Sequence, residues 1–243
     1  INISTKSDLP NFDVYSDCPA VWGAHVWDEP EESQFETVQK LVDEFNQKYA
    51  KYGLKPYVNY AGERADAVKQ SPLLKNVRVM SFDWYIFVNN YPDGWCGTKW
   101  EGSYYLKRMQ TFMNVAHEYG MDFWTYIQAY RRKGGIFNAE KAYRWQMYMN
   151  MCFDSKGMLY FMYANQSEAE NNWGDYSTLV LNRDMTKSDN YYYAQKANEE
   201  IIKVYDVLKD YRNVGAYTYF KRDSQFYAEF DEYKDFDVIE DII

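Results

Sequence analysis

The chain has 243 residues, 47% of them apolar, and carries a formal net charge of −9 at pH 7. This length fits one large α/β domain or one domain with an appendage, and the acidic balance argues against nucleic-acid and anionic-membrane partners. No run approaches the roughly 18 apolar residues that span a bilayer, and two histidines with three unpatterned cysteines indicate no metal site.

Aromatic side chains make up 20% of the chain, with 26 Tyr and 8 Trp. Tyr and Trp combine an apolar body with a polar tip, so they suit half-wet surfaces such as sugar-binding clefts. A Tyr-rich core and shell would explain the same composition equally well. Composition therefore permits a carbohydrate ligand without requiring one.

The first predicted unit is a strand at about 20–27, followed by Asp28-Glu29-Pro30 and a helix at about 31–52. Apolar residues recur at helical spacing along that helix, and Gly53 ends it. The strand therefore delivers a pair of carboxylates directly to its C-terminal end. Both acids have an alternative role. A carboxylate near a helix N-terminus interacts favourably with the helix dipole and stabilises the helix by about 0.3–1 kcal/mol.

The same order then repeats along the chain. Strands are predicted at 56–60, 77–85, 122–128 and 157–163, with helices at 63–74, 104–119, 139–153 and 191–211. Strands that alternate with helices imply βαβ units and a parallel sheet. Residues 213–243 place aromatics among acids without a helical period, which predicts a β-rich extension or the start of a further domain.

Right-handed crossovers bring the C-terminal ends of parallel strands to one face, so polar residues at these ends should surround one mouth. Those residues are Asp28, Glu29, Asn59, Asp83, Tyr85, Gln128, Tyr163 and Asn165. Asn59 could instead cap a strand, and Asp83 could bond loop backbone. Trp95 lies on a loop after a strand, where an indole stacks on sugar or, more commonly, packs a lid.

Residues 22–30, Trp-Gly-Ala-His-Val-Trp-Asp-Glu-Pro, resemble the fourth strand of clan A glycoside hydrolases, especially the beta-galactosidase-like members. Residues 81–85 are similar to the sixth strand of that clan, 123–129 to the seventh and 157–163 to the eighth. The resemblance covers about residues 18–212. It implies a (β/α)8 TIM barrel, of which residues 1–212 would hold strands four to eight. Strands one to three would need roughly 100 further residues, so we expect a portion of a longer protein.

The resemblance also implies catalytic roles. Glu29 matches the acid/base, but Gln128 occupies the position of the strand-seven nucleophile, and an amide cannot be an anionic nucleophile. We therefore expect Glu29 to be the general acid, kept protonated by aromatic, partly dry surroundings and by the like charge of Asp28. Asp83 would be the base or electrostatic partner, at a separation nearer the roughly 6.5–9.5 Å of inverting enzymes.

The leading hypothesis is a glycoside hydrolase acting on a glycan, for which a galactoside is one candidate. Its expected substrate-binding residues are Asp28, Asn59, Tyr85, Gln128, Tyr163, Asn165 and Trp95. The alternatives are a carbohydrate-binding or degenerate barrel without catalysis and, more weakly, an interaction module of a surface protein. No cofactor is indicated, the oligomeric state stays open, and the glycan hypothesis alone favours an extracellular or cell-surface location.

Overall fold

The computed structural model describes residues 9, 11–64, 67–68, 76–87, 99–131, 137–164 and 179–211. Within them the strands are β1 Gly23–Asp28, β2 Lys55–Ala61, β3 Val79–Asp83, β4 Asp122–Gln128 and β5 Gly157–Phe161. The longer helices are α1 Phe35–Tyr49, α2 Lys99–Glu118, α3 Ala139–Cys152 and α4 Asp189–Leu208. The predicted extension at 213–243 lies outside the described residues, as does most of the helix predicted at 63–74.

All five strands are parallel and pair in chain order, β1-β2-β3-β4-β5. Helix α1 connects β1 to β2 and packs on both, α2 connects β3 to β4 and packs on both, and α3 connects β4 to β5. This arrangement is part of a (β/α) barrel, as the alternation of strands and helices predicts. No helix in the described part of the chain is long and apolar enough to cross a bilayer.

The sheet has two chemically different faces. The outer face carries the side chains that the helices cover, and its centre is Phe82, which stacks on Phe112 of α2 at 4.8 Å and on Phe123 of β4 at 5.8 Å. The inner face carries polar and aromatic side chains such as Asn59 and Tyr126. The hydrophobic core therefore lies on the helix side, and the functional groups project from the other side.

A β-bulge in β1 decides which of its side chains reach the inner face. His25 pairs with Tyr57 and Trp27 pairs with Val58, so Val26 is an extra residue in the ladder. A bulge of this kind reverses the alternation of side chains beyond it. His25 and Asp28 therefore both project from the inner face, although regular alternation would place them on opposite faces.

The helix predicted at 31–52 is a composite of three pieces. The 3-10 turn Glu32–Gln34 leads into α1, and a second 3-10 turn, Ala50–Tyr52, follows it. The chain then leaves the helix through Gly53, whose φ of 76° is left-handed. Glycine adopts that conformation without a steric penalty, so the predicted stop at Gly53 has its expected cause.

Candidate functional site

Four residues at the C-terminal ends of β1, β2 and β3 form what we call the carboxylate rim: Asp28, Glu29, Asn59 and Asp83. Asn59 is the centre of this rim, since its Nδ2 donates to Asp28 Oδ1 at 3.0 Å and to Asp83 Oδ1 at 3.2 Å. Parallel pairing sets this geometry, because Asp28 lies opposite Asn59 in the register and Asp83 lies opposite Ala61. One neutral amide group thus holds two carboxyl groups together.

Asp83 is the half-buried carboxyl of the rim, whereas Asp28 and Glu29 are exposed, and its proton affinity is unusual. Burial raises the pKa of Asp83 to about 7, and the neighbouring charges of Glu29 and Asp28 raise it too. Hydrogen bonds from Tyr85 and Asn59 act in the opposite direction. A carboxyl with a pKa near 7 exchanges its proton at neutral pH, which suits general acid–base chemistry.

Glu29 lies just beyond the end of β1, where the chain turns out of the sheet. Its backbone N–H donates to Asn59 O at 2.8 Å, and its φ of 49° places it in the left-handed region. Non-glycine residues pay an energetic penalty in that region, and such conformations cluster at functional sites. The expectation that Glu29 lies in partly dry surroundings is wrong, because this residue is exposed.

His25 and Tyr57 form the inner wall beside Asp28. The imidazole of His25 stacks on the Tyr57 ring at 4.7 Å and 9°, and its Nε2 lies 3.7 Å from Asp28 Oδ1. Burial lowers the pKa of His25, while the charge of Asp28 acts in the opposite direction. His25 is therefore a buried group of the site wall, and its burial favours the neutral imidazole.

Sequence reasoning missed three inner-face residues that support the carboxylate rim: Tyr57, Ser81 and Tyr126. Ser81 Oγ donates to Asn59 Oδ1 at 3.0 Å. Tyr57 and Tyr126 are hydrogen-bonded to each other, and burial raises the pKa of both phenols. Each lies two positions before a strand-end residue that the sequence did single out. The period of two in a strand was therefore the signal that could have found them.

Gln128 ends β4 with its side chain fully buried. Its Oε1 accepts from Phe87 N at 2.9 Å, and its Nε2 donates to Phe87 O at 3.0 Å and Tyr130 O at 3.2 Å. Gln146 of α3 in turn bonds both backbone groups of Gln128, at 2.8 and 3.2 Å. The amide of Gln128 is thus bonded to the backbone of Phe87 and Tyr130.

Aromatic side chains lie next to the carboxylate rim at the C-terminal end of the sheet, on the side of β4 and β5. Tyr85 stacks on Phe161 at 5.3 Å and meets the edge of Tyr130 at 5.4 Å. Tyr163 is 44% exposed, so its ring is accessible to a ligand. The predicted ligand residues Asn165 and Trp95 lie outside the described residues.

The structure therefore brings Asp28, Glu29, Asn59, Asp83 and Tyr85 to one end of the sheet, whereas Gln128, at the end of β4, is fully buried and bonded to backbone groups. Two ionisable groups with different environments face this end, the exposed Glu29 and the half-buried Asp83. A difference in environment between two carboxyl groups is the usual way to obtain one proton donor and one acceptor. The arrangement is chemically suited to acid–base catalysis.

Comparisons with known proteins add information on the fold. No protein-family model and no curated protein matches the chain. Among solved structures, Ruminococcus gnavus beta-glucuronidase superposes with a TM-score of 0.54 and 13% identity, over 77% of this chain and 34% of that chain. The structure of its complex with a C6-substituted uronic isofagomine superposes with a TM-score of 0.51 and 14% identity, over 75% of this chain and 33% of that chain. The structure of its complex with D-glucuronic acid superposes with a TM-score of 0.50 and 14% identity, over 76% of this chain and 34% of that chain.

This chain spans about a third of the length of those beta-glucuronidase structures. At 13% to 14% identity the likeness concerns the fold. This chain is similar to one part of a glycoside hydrolase that carries a (β/α) barrel, and the similarity agrees with the five-stranded parallel sheet described above.

Proposed function

We propose that this chain carries part of the active site of a glycoside hydrolase that acts on a glycan. The observation that carries the proposal is the half-buried Asp83, with a pKa of about 7, beside the exposed Glu29. Glycoside hydrolysis uses two carboxyl groups on either side of the scissile bond. The C-terminal end of the strands is also where enzymes with this barrel fold hold their active sites.

In this proposal Glu29 is the general acid/base and Asp83 is the second carboxylate. Glu29 is exposed at the mouth, where a glycan can bind. The charges of Glu29 and Asp83 oppose each other, so the pair holds one proton, and Glu29 gives that proton to the glycosidic oxygen when Asp83 is ionised. Asp83 accepts a proton from water as that water attacks the anomeric carbon, and the bond to the leaving oxygen breaks. A pKa near 7 allows Asp83 to accept this proton at neutral pH.

The neighbouring polar and aromatic groups would bind the sugar. Asp28 is exposed, so it can accept from a sugar hydroxyl through the oxygen lone pairs that its bond to Asn59 leaves unused. Asn59 remains a candidate ligand residue on the basis of its place at the strand end. Tyr85 and Tyr163 offer ring faces at the mouth. Gln128 is fully buried and holds the backbone of Phe87, in the segment that follows Asp83 and Tyr85. Asn165 and Trp95 remain candidate ligand residues on the basis of sequence.

Two sugars are the first candidates. The resemblance of residues 22–30 to beta-galactosidase-like enzymes suggests a galactoside, and the fold similarity to a beta-glucuronidase suggests a glucuronide. Aryl galactosides and aryl glucuronides release a coloured phenol, so both can be followed at low turnover. Natural oligosaccharides, with product sugars separated by chromatography, complete the panel.

Replacement of Glu29 by Gln tests the acid/base role. The amide keeps the size of the side chain but has no proton to give, so we expect kcat to fall by about 10²–10⁴-fold. The melting temperature should stay within a few degrees of that of the parent chain. Glu32→Gln is the matched control, since Glu32 is also exposed and lies three positions further along. An unchanged kcat in Glu29→Gln would exclude Glu29 from catalysis.

The second candidate function is carbohydrate binding without hydrolysis. It is favoured by Gln128, which stands where the resemblance places a carboxylate and is bonded to backbone groups. Calorimetric titration with the same panel separates the two functions. Binding of a glycan without release of product between pH 4 and 9 would support the binding function and would contradict hydrolysis.

A further inference from the structure

The orientation of the Asn59 amide decides whether the carboxylate rim holds together. Asn59 is 2% exposed, and its NH2 group faces both Asp28 and Asp83. If the amide drifted from this orientation, Nδ2 would approach one carboxyl group and leave the other without its donor. A buried amide that serves two acceptors must therefore be anchored at its other end.

Ser81 provides that anchor. It lies directly opposite Asn59 in the β2–β3 register and is fully buried. Its hydroxyl donates to Asn59 Oδ1 at 3.0 Å, a shorter contact than the 3.4 Å that separates it from Val58 O. A donor at Oδ1 fixes the plane of the amide, and it also polarises the amide so that the N–H groups donate more strongly.

We propose that Ser81 is a positioning residue that acts through Asn59, holding its amide so that a single NH2 group serves both Asp28 and Asp83. The assignment rests on the proposed function for its catalytic meaning, because the rim is the proposed site of proton transfer. The geometry itself depends only on the side chains of the sheet. Ser81 is too deeply buried to touch a substrate, so its influence must pass through Asn59.

Loss of the Ser81 hydroxyl should change the pKa of Asp83. The hydrogen bond from Asn59 lowers the pKa of Asp83 against the larger effect of burial. When the amide is no longer held, that bond weakens and the charged form of Asp83 loses a donor. The proton of Asp83 is then released at a higher pH than in the parent chain.

Carbon-13 NMR of the aspartate carboxyl groups tests the proposal in the full chain. In Ser81→Ala the titration midpoint of Asp83 should rise by roughly 0.5–1 pH unit, the equivalent of one hydrogen bond. Ser155→Ala is the matched control. Ser155 is also a buried serine that donates to a carbonyl, Gly157 O at 2.9 Å, but it lies before β5, away from the rim. It should leave the midpoint unchanged.

A double-mutant cycle with Asn59→Ala tests the route of the effect. If Ser81 acts through Asn59, Ser81→Ala should add no further rise once Asn59 is absent. A rise of the same size in both backgrounds, or an unchanged midpoint in Ser81→Ala, would overturn the proposal. Ser81→Cys takes the place of the alanine variant if the latter does not fold. It keeps a weak donor at similar volume, so the Asp83 midpoint should rise by less than the roughly 0.5–1 pH unit expected for Ser81→Ala.

The titration is independent of turnover. If no glycan is hydrolysed and the Asp83 midpoint still rises in Ser81→Ala, the proposed function fails while the role of Ser81 stands. If glycans are hydrolysed and the midpoint does not move, the role of Ser81 fails and the proposed function stands.

Discussion

At the scale of single residues, the environment of Asp83 dominates the chemistry of this chain. Position in the sequence indicated that Asp28, Glu29, Asn59 and Asp83 would meet, because each ends or follows an apolar run. It could not indicate which carboxyl would be the least exposed. That depends on the side chains that neighbouring strands bring alongside, such as Asn59 of β2, which donates to Asp83, and this packing is set by the register rather than by local pattern.

The raised pKa of Asp83 predicts how stability changes with pH. Between the usual pKa of an aspartate and about 7, the folded chain keeps a proton that the unfolded chain has released. The free energy of unfolding therefore falls as pH rises through this window, by up to about 1.4 kcal/mol per pH unit, and the contribution is lost above pH 7. Asp83→Asn removes this decline, so the variant should gain stability relative to the parent as pH rises from 4 to 7.

Urea denaturation at several pH values measures this difference. The exposed Asp17 provides a matched control, since Asp17→Asn removes the same charge outside the sheet and should run parallel to the parent chain. Parallel stability curves for Asp83→Asn and the parent would show that Asp83 titrates alike in the folded and unfolded states.

At the scale of elements, two glutamines join α3, β4 and the segment after β3. Gln146 bonds the N–H and C=O of Gln128, as a neighbouring strand would, and the Gln128 side chain does the same for Phe87. The sequence predicted α3 and β4 from their periodicities. It could not predict this junction. The partners of a buried glutamine side chain are backbone groups that secondary structure leaves unpaired, and the local sequence does not reveal which groups those are.

Gln128→Glu tests whether this position is a junction or a latent nucleophile. The new carboxylate would face the carbonyl oxygens of Phe87 and Tyr130 without a donor between them. We expect the free energy of unfolding to drop by about 2–4 kcal/mol, with partial recovery at low pH as the carboxyl is protonated. The exposed Gln47 on α1 provides the control variant Gln47→Glu, which should change the free energy of unfolding by less than about 0.5 kcal/mol. Unchanged stability together with new or faster glycan hydrolysis would instead identify position 128 as a nucleophile site.

The bulge in β1 is a second element-scale feature that periodicity could not supply. Strict alternation places His25 and Asp28 on opposite faces, whereas the bulge at Val26 puts both on the inner face. A bulge is defined by the partner strand, since two residues must oppose one across the ladder. The predicted strand bounds were correct to within a few residues, but the facing of its last residues was set by β2.

At the scale of the whole molecule, the fold was predictable because a parallel sheet with helices repeats one unit. Each βα unit supplies its own apolar pattern, and the right-handed crossover leaves few ways to join them. The division of labour between the two faces follows from this topology. Helices cover the outer face, so its side chains form the core, and the inner face is left to carry polar groups such as Asn59 and Asp83.

Phe82 connects the core of the outer face with the polar groups of the inner face, because it precedes Asp83 in β3 and points to the opposite face. It is 1% exposed and stacks on Phe112 and Phe123, so it joins α2 to β4 across the centre of the sheet. Phe82→Ala should lower the free energy of unfolding by about 3–5 kcal/mol, as a large core truncation does. Tyr192→Ala, on the exposed face of α4, is the control and should cost less than about 1 kcal/mol.

The mode of unfolding carries more information than the size of the loss. The buried cluster that contains Phe82 extends from β1 to β4 and includes α1 and α2. If this cluster is one cooperative unit, circular dichroism and tryptophan fluorescence should report the same, lower midpoint in Phe82→Ala. Separate midpoints would show that the sheet comes apart in pieces. In that case the carboxylate rim, which spans β1, β2 and β3, could not rely on the whole sheet for its geometry.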